Sequence, residues 1–468
     1  MRKFHNMDKP SLKKYRLPNE QIRVLIYDKT RPQLYIETYG CQMNVADSEL
    51  IVSIMIQNGF SITEDIKKAD LILVNTCSVR ENAEQRVWGR LNVFKNYKRQ
   101  KPGLLIGVIG CMAERLKEKL LEDEKMIDLV VGPDAYRDLP KLVQSAEMGQ
   151  KAVNVLLSRE ETYADISPVR MDKNGVSAFV SIMRGCNNMC SYCVVPYTRG
   201  RERSRNPDSV IHEVEDLIKM GYKEVTLIGQ NVDSYNWINK KNNLITGFAN
   251  LLEHVARISA DIRIRFSTSH PKDMSVEVLY VMNEHSNICK HIHLPLQSGS
   301  SRILDLMKRG YTAEWYINRI ESVRKILPDC SLSTDIIAGF CTEKEEDHMK
   351  TLKLMEWAGF DFAYMFKYSE RPGTPAARKP DDVPENVKSK RLTEIIELQN
   401  SLSAKSKEKD LNKSCEVLVE GVSKKSDQHY FGRTSQNKVV VFPKEEFRIG
   451  DSVLVKIKTC TSATLIGI

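Results

Sequence analysis

The sequence predicts a multidomain α/β protein. A parallel α/β sheet domain occupies 33–149, a partial (β/α)6 barrel 172–402, and a small antiparallel β-barrel of the OB-like kind 405–468. Three observations carry that reading. After residue 33, short apolar runs alternate with amphipathic stretches, as parallel strands joined by helices do. The alternation breaks in a polar stretch around 160–175 and restarts at Val176. Beyond about residue 405 it gives way to short strands separated only by turns.

Residues 1–32 precede this pattern as a basic, flexible arm. Over 1–30, eight Lys/Arg face three Asp/Glu, a net of +5. Such an arm suits contact with a polyanion, and equally suits a solvated leader. The first unit is a strand over Gln33–Tyr39, a turn at Gly40-Cys41 and a helix from about Asp47 to Gln57. The second is a strand over Ala69–Asn75, then Cys77 and a helix to about Tyr97. The third is a strand over Gly103–Ile109, then Gly110-Cys111 and a helix to about Leu121. Ile127–Val131 and Ala152–Leu156 read as two further strands.

The second series has strands at Ser177–Met183, Glu224–Ile228, Ile262–Ser267, His291–Pro295, Ser331–Ile337 and Phe362–Lys367, with helices between. Six βα units make a partial barrel whose chemistry belongs at the carboxyl ends of the strands. A charged, helix-favouring stretch from Pro384 to about Asp410 leads to the last domain. There Cys415–Val419, Tyr430–Thr434, Lys438–Phe442, Asp451–Lys458 and Ala463–Gly467 read as five short strands. Small barrels of this type often bind oligonucleotides, and twelve Lys/Arg against eight Asp/Glu over 405–468 agree with that.

Composition narrows the class. A chain of 468 residues that is 41% hydrophobic can build several cores and is not a disordered polymer. The net charge of +9 favours an anionic partner. No apolar leader is present, and the most apolar run, Leu104–Ala113, is too short to span a bilayer, which takes roughly 20 residues. Eleven cysteines spread over this length do not form a small secreted disulfide scaffold. The expectation is a cytoplasmic protein without membrane contact that uses cysteines to bind metal.

Two sets of cysteines stand out. Gly185-Cys186-Asn187-Asn188-Met189-Cys190-Ser191-Tyr192-Cys193 carries a C-x3-C-x2-C spacing. Three thiolates so close can grip one inorganic centre. A [4Fe–4S] cluster usually takes four cysteines, so three leave one iron open. A zinc site needs a second ligand pair nearby, and the next cysteine is Cys289; buried, unliganded thiols are the other alternative. The second set is Cys41, Cys77 and Cys111. Each follows a predicted strand by one or two residues, the edge where open parallel sheets bind ligands. Three cysteines far apart in sequence thus converge on one sheet edge, with Gly40 and Gly110 permitting tight turns, unless each is an ordinary buried cysteine.

The C-x3-C-x2-C loop, with Tyr192 just before its last cysteine, resembles the radical S-adenosylmethionine (SAM) superfamily. Tyr39-Gly40-Cys41-Gln42-Met43-Asn44, Asn75-Thr76-Cys77, Gly110-Cys111 and Arg199-Gly-Arg-Glu-Arg-Ser-Arg205 together resemble the methylthiotransferases, over nearly the whole chain past the arm. Gly432-Arg-Thr434 through Val439–Phe442 is similar to the TRAM domain.

This resemblance implies that Cys186, Cys190 and Cys193 hold a radical SAM [4Fe–4S] cluster. It implies that Cys41, Cys77 and Cys111 hold an auxiliary one, each with one open iron. SAM serves as methyl donor and as source of a 5′-deoxyadenosyl radical. The reaction it implies is methylthiolation at C2 of an isopentenylated adenine next to the anticodon of tRNA. The partners are then the tRNA anticodon stem-loop carrying isopentenyladenosine and an electron donor of the flavodoxin or ferredoxin type, with the enzyme a monomer. Tyr192 either packs beside the SAM adenine or anchors the loop. Gly229-Gln230-Asn231 stands where the superfamily often has Gly-Gly-Glu, so a SAM contact for Gln230 is an open question. Arg199, Arg201, Arg203 and Arg205 against Glu202 either steer phosphate, pair with the SAM carboxylate or form a solvated charged loop. His291 and His293 share a strand face and belong to the barrel interior. Sister methylthiotransferases acting on threonylcarbamoyladenosine in tRNA or on a ribosomal protein aspartate are the nearest alternatives. A metal-bound RNA-binding protein without catalysis is the alternative of another class.

Overall fold

The computed structural model describes residues 28–77, 81–117, 119–124, 126–171 and 174–468; the arm expected at 1–32 lies outside them up to residue 27. Six strands form one parallel sheet in the order β2-β1-β3-β4-β5-β6. They are β1 Gln33–Tyr39, β2 Ser61–Ile62, β3 Leu71–Thr76, β4 Leu105–Gly110, β5 Leu129–Val131 and β6 Ala152–Asn154. The central β3 and β4 are buried at every position, because helices cover both faces and neither side chain row meets water. On one face Leu71, Leu73 and Ile109 pack on Ile51 and Met55 of α1 (Gln42–Gln57). On the other, Ile72, Val74 and Val108 pack on Val87, Leu91 and Phe94 of α2 (Glu81–Gln100). Each such side chain contributes roughly 1.5–3 kcal/mol on burial. Ile72→Ala would cost about 2–5 kcal/mol at this fully enclosed site.

Two helices depart from the sequence expectation. α1 begins at Gln42, directly after Cys41 in extended conformation (φ −101°, ψ 175°), and not at Asp47. Its first turns are polar but buried: Asn44 Nδ2 donates to Asn75 Oδ1 at 3.0 Å, and Asn75 Nδ2 donates to the Asn44 carbonyl at 2.8 Å. The helix expected to run to Leu121 is split into α3 (Cys111–Leu116) and α4 (Lys119–Asp123) by Lys117, whose φ of +51° ends the first turn set.

The second body has six parallel strands in chain order. They are β7 Ser177–Ser181, β8 Glu224–Ile228, β9 Arg263–Ser267, β10 His291–His293, β11 Ser331–Ala338 and β12 Phe362–Lys367. A parallel bridge between Ile264 and Ile288 joins the two halves. Among the described residues β7 and β12 do not pair, so the barrel is partial and open on one side. α7 (Glu385–Glu408) lies along β12, burying Ile395 and Leu402 in the barrel core.

The last body is a closed five-stranded barrel, in the order β13-β14-β15-β17-β16. Its strands are β13 Ser414–Val422, β14 His429–Arg433, β15 Val439–Pro443, β16 Ser452–Cys460 and β17 Leu465–Gly467. Four pairings are antiparallel, as expected, but β15 and β17 pair parallel. Parity requires it: a closed ring with an odd number of strands cannot alternate direction throughout. The β14–β15 turn docks against the amino-terminal end of the partial barrel. Arg265 donates to the carbonyls of Thr434 (2.7 Å) and Ser435 (3.1 Å), and Arg263 donates to that of Arg433 (3.0 Å).

The stretch at 160–171 is not a loose link. Arg170, its side chain 9% exposed, pairs with Glu49 of α1 at 2.8 Å and with Glu213 of the barrel, tying the first two bodies together. No helix among the described residues is long and apolar enough to cross a membrane.

Candidate active site

The parallel register aligns the first three cysteines. Tyr39 pairs with Thr76, and Thr76 with Gly110, so the chain leaves β1, β3 and β4 at one level. Cys41, Cys77 and Cys111 follow within two residues of these strand ends. Gly40 makes the close approach possible. Its φ is +124°, and a Cβ there would stand 2.5 Å from the Cβ of Cys77. Gly110 (φ +86°) does the same beside Asn75, where a Cβ would meet Oδ1 at 2.5 Å. The Cys77 thiol, hydrogen-bonded to the Cys41 sulfur, and the charge of Arg199 bring Cys41 down to about 6. Burial pushes Cys111 up, with Arg199 opposing.

The second three cysteines sit in a loop closed at its base. Met183-Arg184 pairs antiparallel with Arg203-Ser204, so the intervening segment is a pinched loop at the carboxyl end of β7. Gly185 (φ +79°) lies where a Cβ would stand 2.0 Å from the Arg201 carbonyl oxygen. Its N–H donates to Gln230 Oε1 at 2.6 Å, so Gln230 holds the cysteine loop. Ser191 Oγ donates to the Leu306 carbonyl at 2.8 Å and fixes the far side. Arg309 Nη1 points at the Cys190 sulfur (3.3 Å) and at the Tyr192 hydroxyl (3.4 Å). The Tyr192 ring is half-buried against the cluster that contains Phe340 and Tyr368. Burial pushes the Cys186 and Cys193 thiols up to about 12. His270, 4.0 Å from the Cys190 sulfur, is pushed down to about 2 by burial and by the charges of Arg309 and Lys272, and is therefore neutral. An open cavity of about 470 Å³ adjoins Cys186, with Met189, Tyr197 and Arg201 on its walls.

The segments that follow the two cysteine sets meet at the interface between the first two bodies. The helix that starts at Cys111, α3, packs on α6 (Val195–Arg199), which starts two residues after Cys193. Arg199 closes the contact: Nε donates to Cys111 Sγ at 3.1 Å and Nη1 pairs with Asp47 at 2.7 Å. Arg184 also reaches Asp47 (2.9 Å), and Arg203 reaches Asp134 (2.9 Å). Arg205 pairs with Glu213. This corrects the reading of the arginine run. Arg199, Arg203 and Arg205 are buried and committed to carboxylates, which leaves none of them free to steer phosphate; Arg201 alone is exposed. His291 and His293 do face the barrel interior, both within 2.9 Å of Ser333 Oγ.

The donor sets fit a thiolate-bound cluster. Glycine supplies room at Gly40 and Gly185, and one guanidinium N–H aims at a sulfur of each set.

Residues 33–132 match the family described as "Uncharacterized protein family UPF0004", 180–355 the radical SAM superfamily and 409–468 the TRAM domain. The tRNA-2-methylthio-N(6)-dimethylallyladenosine synthase of Amoebophilus asiaticus is 58% identical over 466 residues, 96% of this chain and 95% of that protein. The chain belongs to the tRNA-2-methylthio-N(6)-dimethylallyladenosine synthase family. The synthase of Phocaeicola vulgatus is likewise 58% identical, over 94% of this chain and 96% of its own. Among solved structures, the radical SAM methyltransferase TsrM of Kitasatospora setae shares the fold with a TM-score of 0.56 at 14% identity, covering 74% of each chain. In this synthase-family chain, sequence reasoning missed Asp47, Asp134, Arg184, Arg309 and His270. Only Asn44 and Asn75, polar residues beside the Cys41 and Cys77 motifs, hinted at a buried polar scaffold.

Proposed function

We propose that this protein adds a methylthio group at C2 of N6-isopentenyladenosine next to the anticodon of tRNA. In this reading Cys186, Cys190 and Cys193 hold the radical SAM [4Fe–4S] cluster, and Cys41, Cys77 and Cys111 the auxiliary one. Tyr192 flanks the SAM adenine. When bound, the clusters and SAM supply the radical, the methyl group and a methylated sulfur. An aromatic C2–H is neither acidic nor displaceable, so side-chain acid–base chemistry has little grip on it.

The chain's own residues position and shelter that chemistry. Gly185 and Gln230 fix the cysteine loop, while Arg309 and Arg199 each set a positive charge against thiolate sulfur. Asp47, pinned by Arg184 and Arg199, holds the two halves at a fixed separation. The bodies at 33–149, 172–402 and 405–468 act as sulfur-presenting, radical-forming and RNA-holding units. The protein works as a monomer in the cytoplasm, with a flavodoxin- or ferredoxin-type donor. Bringing the target base to the site requires drawing it out of the loop stack.

The observation that carries the reading is the Arg199–Cys111 contact, which ties the helix after the Cys186–Cys193 loop to one cysteine of the other set. The test is anaerobic turnover of an isopentenylated anticodon stem-loop, with SAM and a reductant, read by nucleoside mass spectrometry. The methylthio-isopentenyl nucleoside is expected. Product on threonylcarbamoylated RNA instead, or tight RNA binding with no product and zinc in place of iron, would contradict it.

A further inference from the structure

Phe362, Tyr364 and Phe366 occupy alternate positions of β12, the edge strand at the open side of the partial barrel. Register with Ser333, Asp335 and Ile337 places them on the interior face. They are 47%, 47% and 41% exposed, while Ala363 on the opposite face is buried. Interior positions of a closed barrel are normally filled by packed side chains. Here the missing closure leaves a row of three aromatic rings in solvent, a patch that marks a recognition surface more often than an accident of folding.

The row is held rigid. Phe362 and Tyr364 meet edge to face with centroids 4.9 Å apart, and Tyr364 meets His293 at 5.8 Å. His293 is itself fixed by Ser333 (2.9 Å) and Asp335 (3.5 Å). The row also leads somewhere. Its lower end lies one interior position above Ser331, which donates to the Gln436 carbonyl of the C-terminal barrel. Its upper end reaches the strand ends from which the Cys186–Cys193 loop departs. Just beyond, the chain carries Arg378, exposed, and Lys379, while Lys367 pairs with Glu385.

We propose that Phe362, Tyr364 and Phe366 are a stacking platform for unpaired bases of the RNA substrate, on the path from the C-terminal barrel to the cysteine loops. This rests on the tRNA reading above. Aromatic rings beside basic residues are how proteins hold single-stranded nucleic acid: every base offers a ring face, and the cations meet the phosphates. Arg378, exposed on the segment that follows the row, offers such a cation.

The test is equilibrium binding of a labelled anticodon stem-loop to the full-length, cluster-loaded protein at one salt concentration. Phe362→Leu and Tyr364→Leu keep apolar bulk but remove the ring, and each should weaken binding about ten-fold. Tyr364→Phe, which keeps the ring, should bind as wild type, and a blunt duplex of equal charge should bind all four proteins alike. Leucine variants with wild-type affinity would overturn the proposal, as would equal weakening on the duplex. A loss seen only with prenylated RNA would overturn it too, since the row would then read the prenyl group. Failure of the wild-type protein to bind the stem-loop at all would strike the tRNA reading instead.

Discussion

The Nε of Arg199 donates a hydrogen bond to the sulfur of Cys111 across 3.1 Å, from a guanidinium that also grips Asp47 at 2.7 Å. One buried side chain thereby joins the partial barrel to the sheet domain that carries Cys111. Arg199→Gln would leave Asp47 buried with Arg184 as its remaining cationic partner, at an expected cost of about 3–5 kcal/mol. Arg199→Lys restores the charge without the planar fork and should recover only part of it. Thermal melting measures the first effect. Loss of the N–H···S bond should also move the midpoint potential of the cluster proposed at Cys41, Cys77 and Cys111 to more negative values in an EPR-monitored titration. The cluster proposed at Cys186, Cys190 and Cys193 should keep its potential.

Gly40→Ala and Gly185→Ala should each disable one site and spare the other. A methyl at Gly40 would stand 2.5 Å from the Cys77 Cβ, and one at Gly185 would stand 2.0 Å from the Arg201 carbonyl oxygen. Both backbones also sit at positive φ, which costs an alanine about 1–2 kcal/mol. Iron analysis after anaerobic reconstitution should find about half the wild-type iron in each variant, given two clusters of equal iron count. Wild-type iron in both would show that the glycines are not needed to seat the cysteines.

The carboxyl oxygens of Asp233 are enclosed in the turn after β8, where desolvation and the nearby Asp273 push the group up to about 7, against Ser269 and Arg319. A raised acid favours the protonated folded state, so its contribution is present below the unfolded value near 3.8 and is lost as pH rises through about 7. Asp233→Asn should therefore stabilise the protein at pH 8, by an amount on the order of 2 kcal/mol, and change little at pH 4. Melting curves at the two pH values test this; equal shifts at both would contradict it.

Arg265 holds the C-terminal barrel by two carbonyls and pairs with Glu224 at 2.8 Å. Arg265→Ala should cost about 3 kcal/mol and loosen the docking of that barrel. Limited proteolysis should then cut between α7 and β13, at 409–413, faster than in the wild type. Stem-loop affinity should fall as the barrel loses its fixed place beside the Phe362–Phe366 row.

Much of this was legible in the sequence, for a physical reason. The convergence of Cys41, Cys77 and Cys111 needs only strand periodicity and the rule that parallel strands end at one edge. What was not legible is pairing at a distance. Arg199, Arg203 and Arg205 look the same in sequence whether solvated or buried, and Asp47 and Asp134 lie in a different domain. The start of α1 was hidden because Asn44 reads as a loop residue and Asp47 as a helix start, although both are buried. Phe362, Tyr364 and Phe366 alternate as any half-buried strand would, and nothing in that alternation says the barrel beside them stays open.

The most direct test of the two-site account is Cys77→Ala, assayed anaerobically with isopentenylated stem-loop RNA, SAM and a reductant. The account predicts about half the wild-type iron, continued cleavage of SAM to 5′-deoxyadenosine, and no methylthiolated nucleoside. Full iron with normal product, or loss of SAM cleavage together with product in a folded protein, would contradict it.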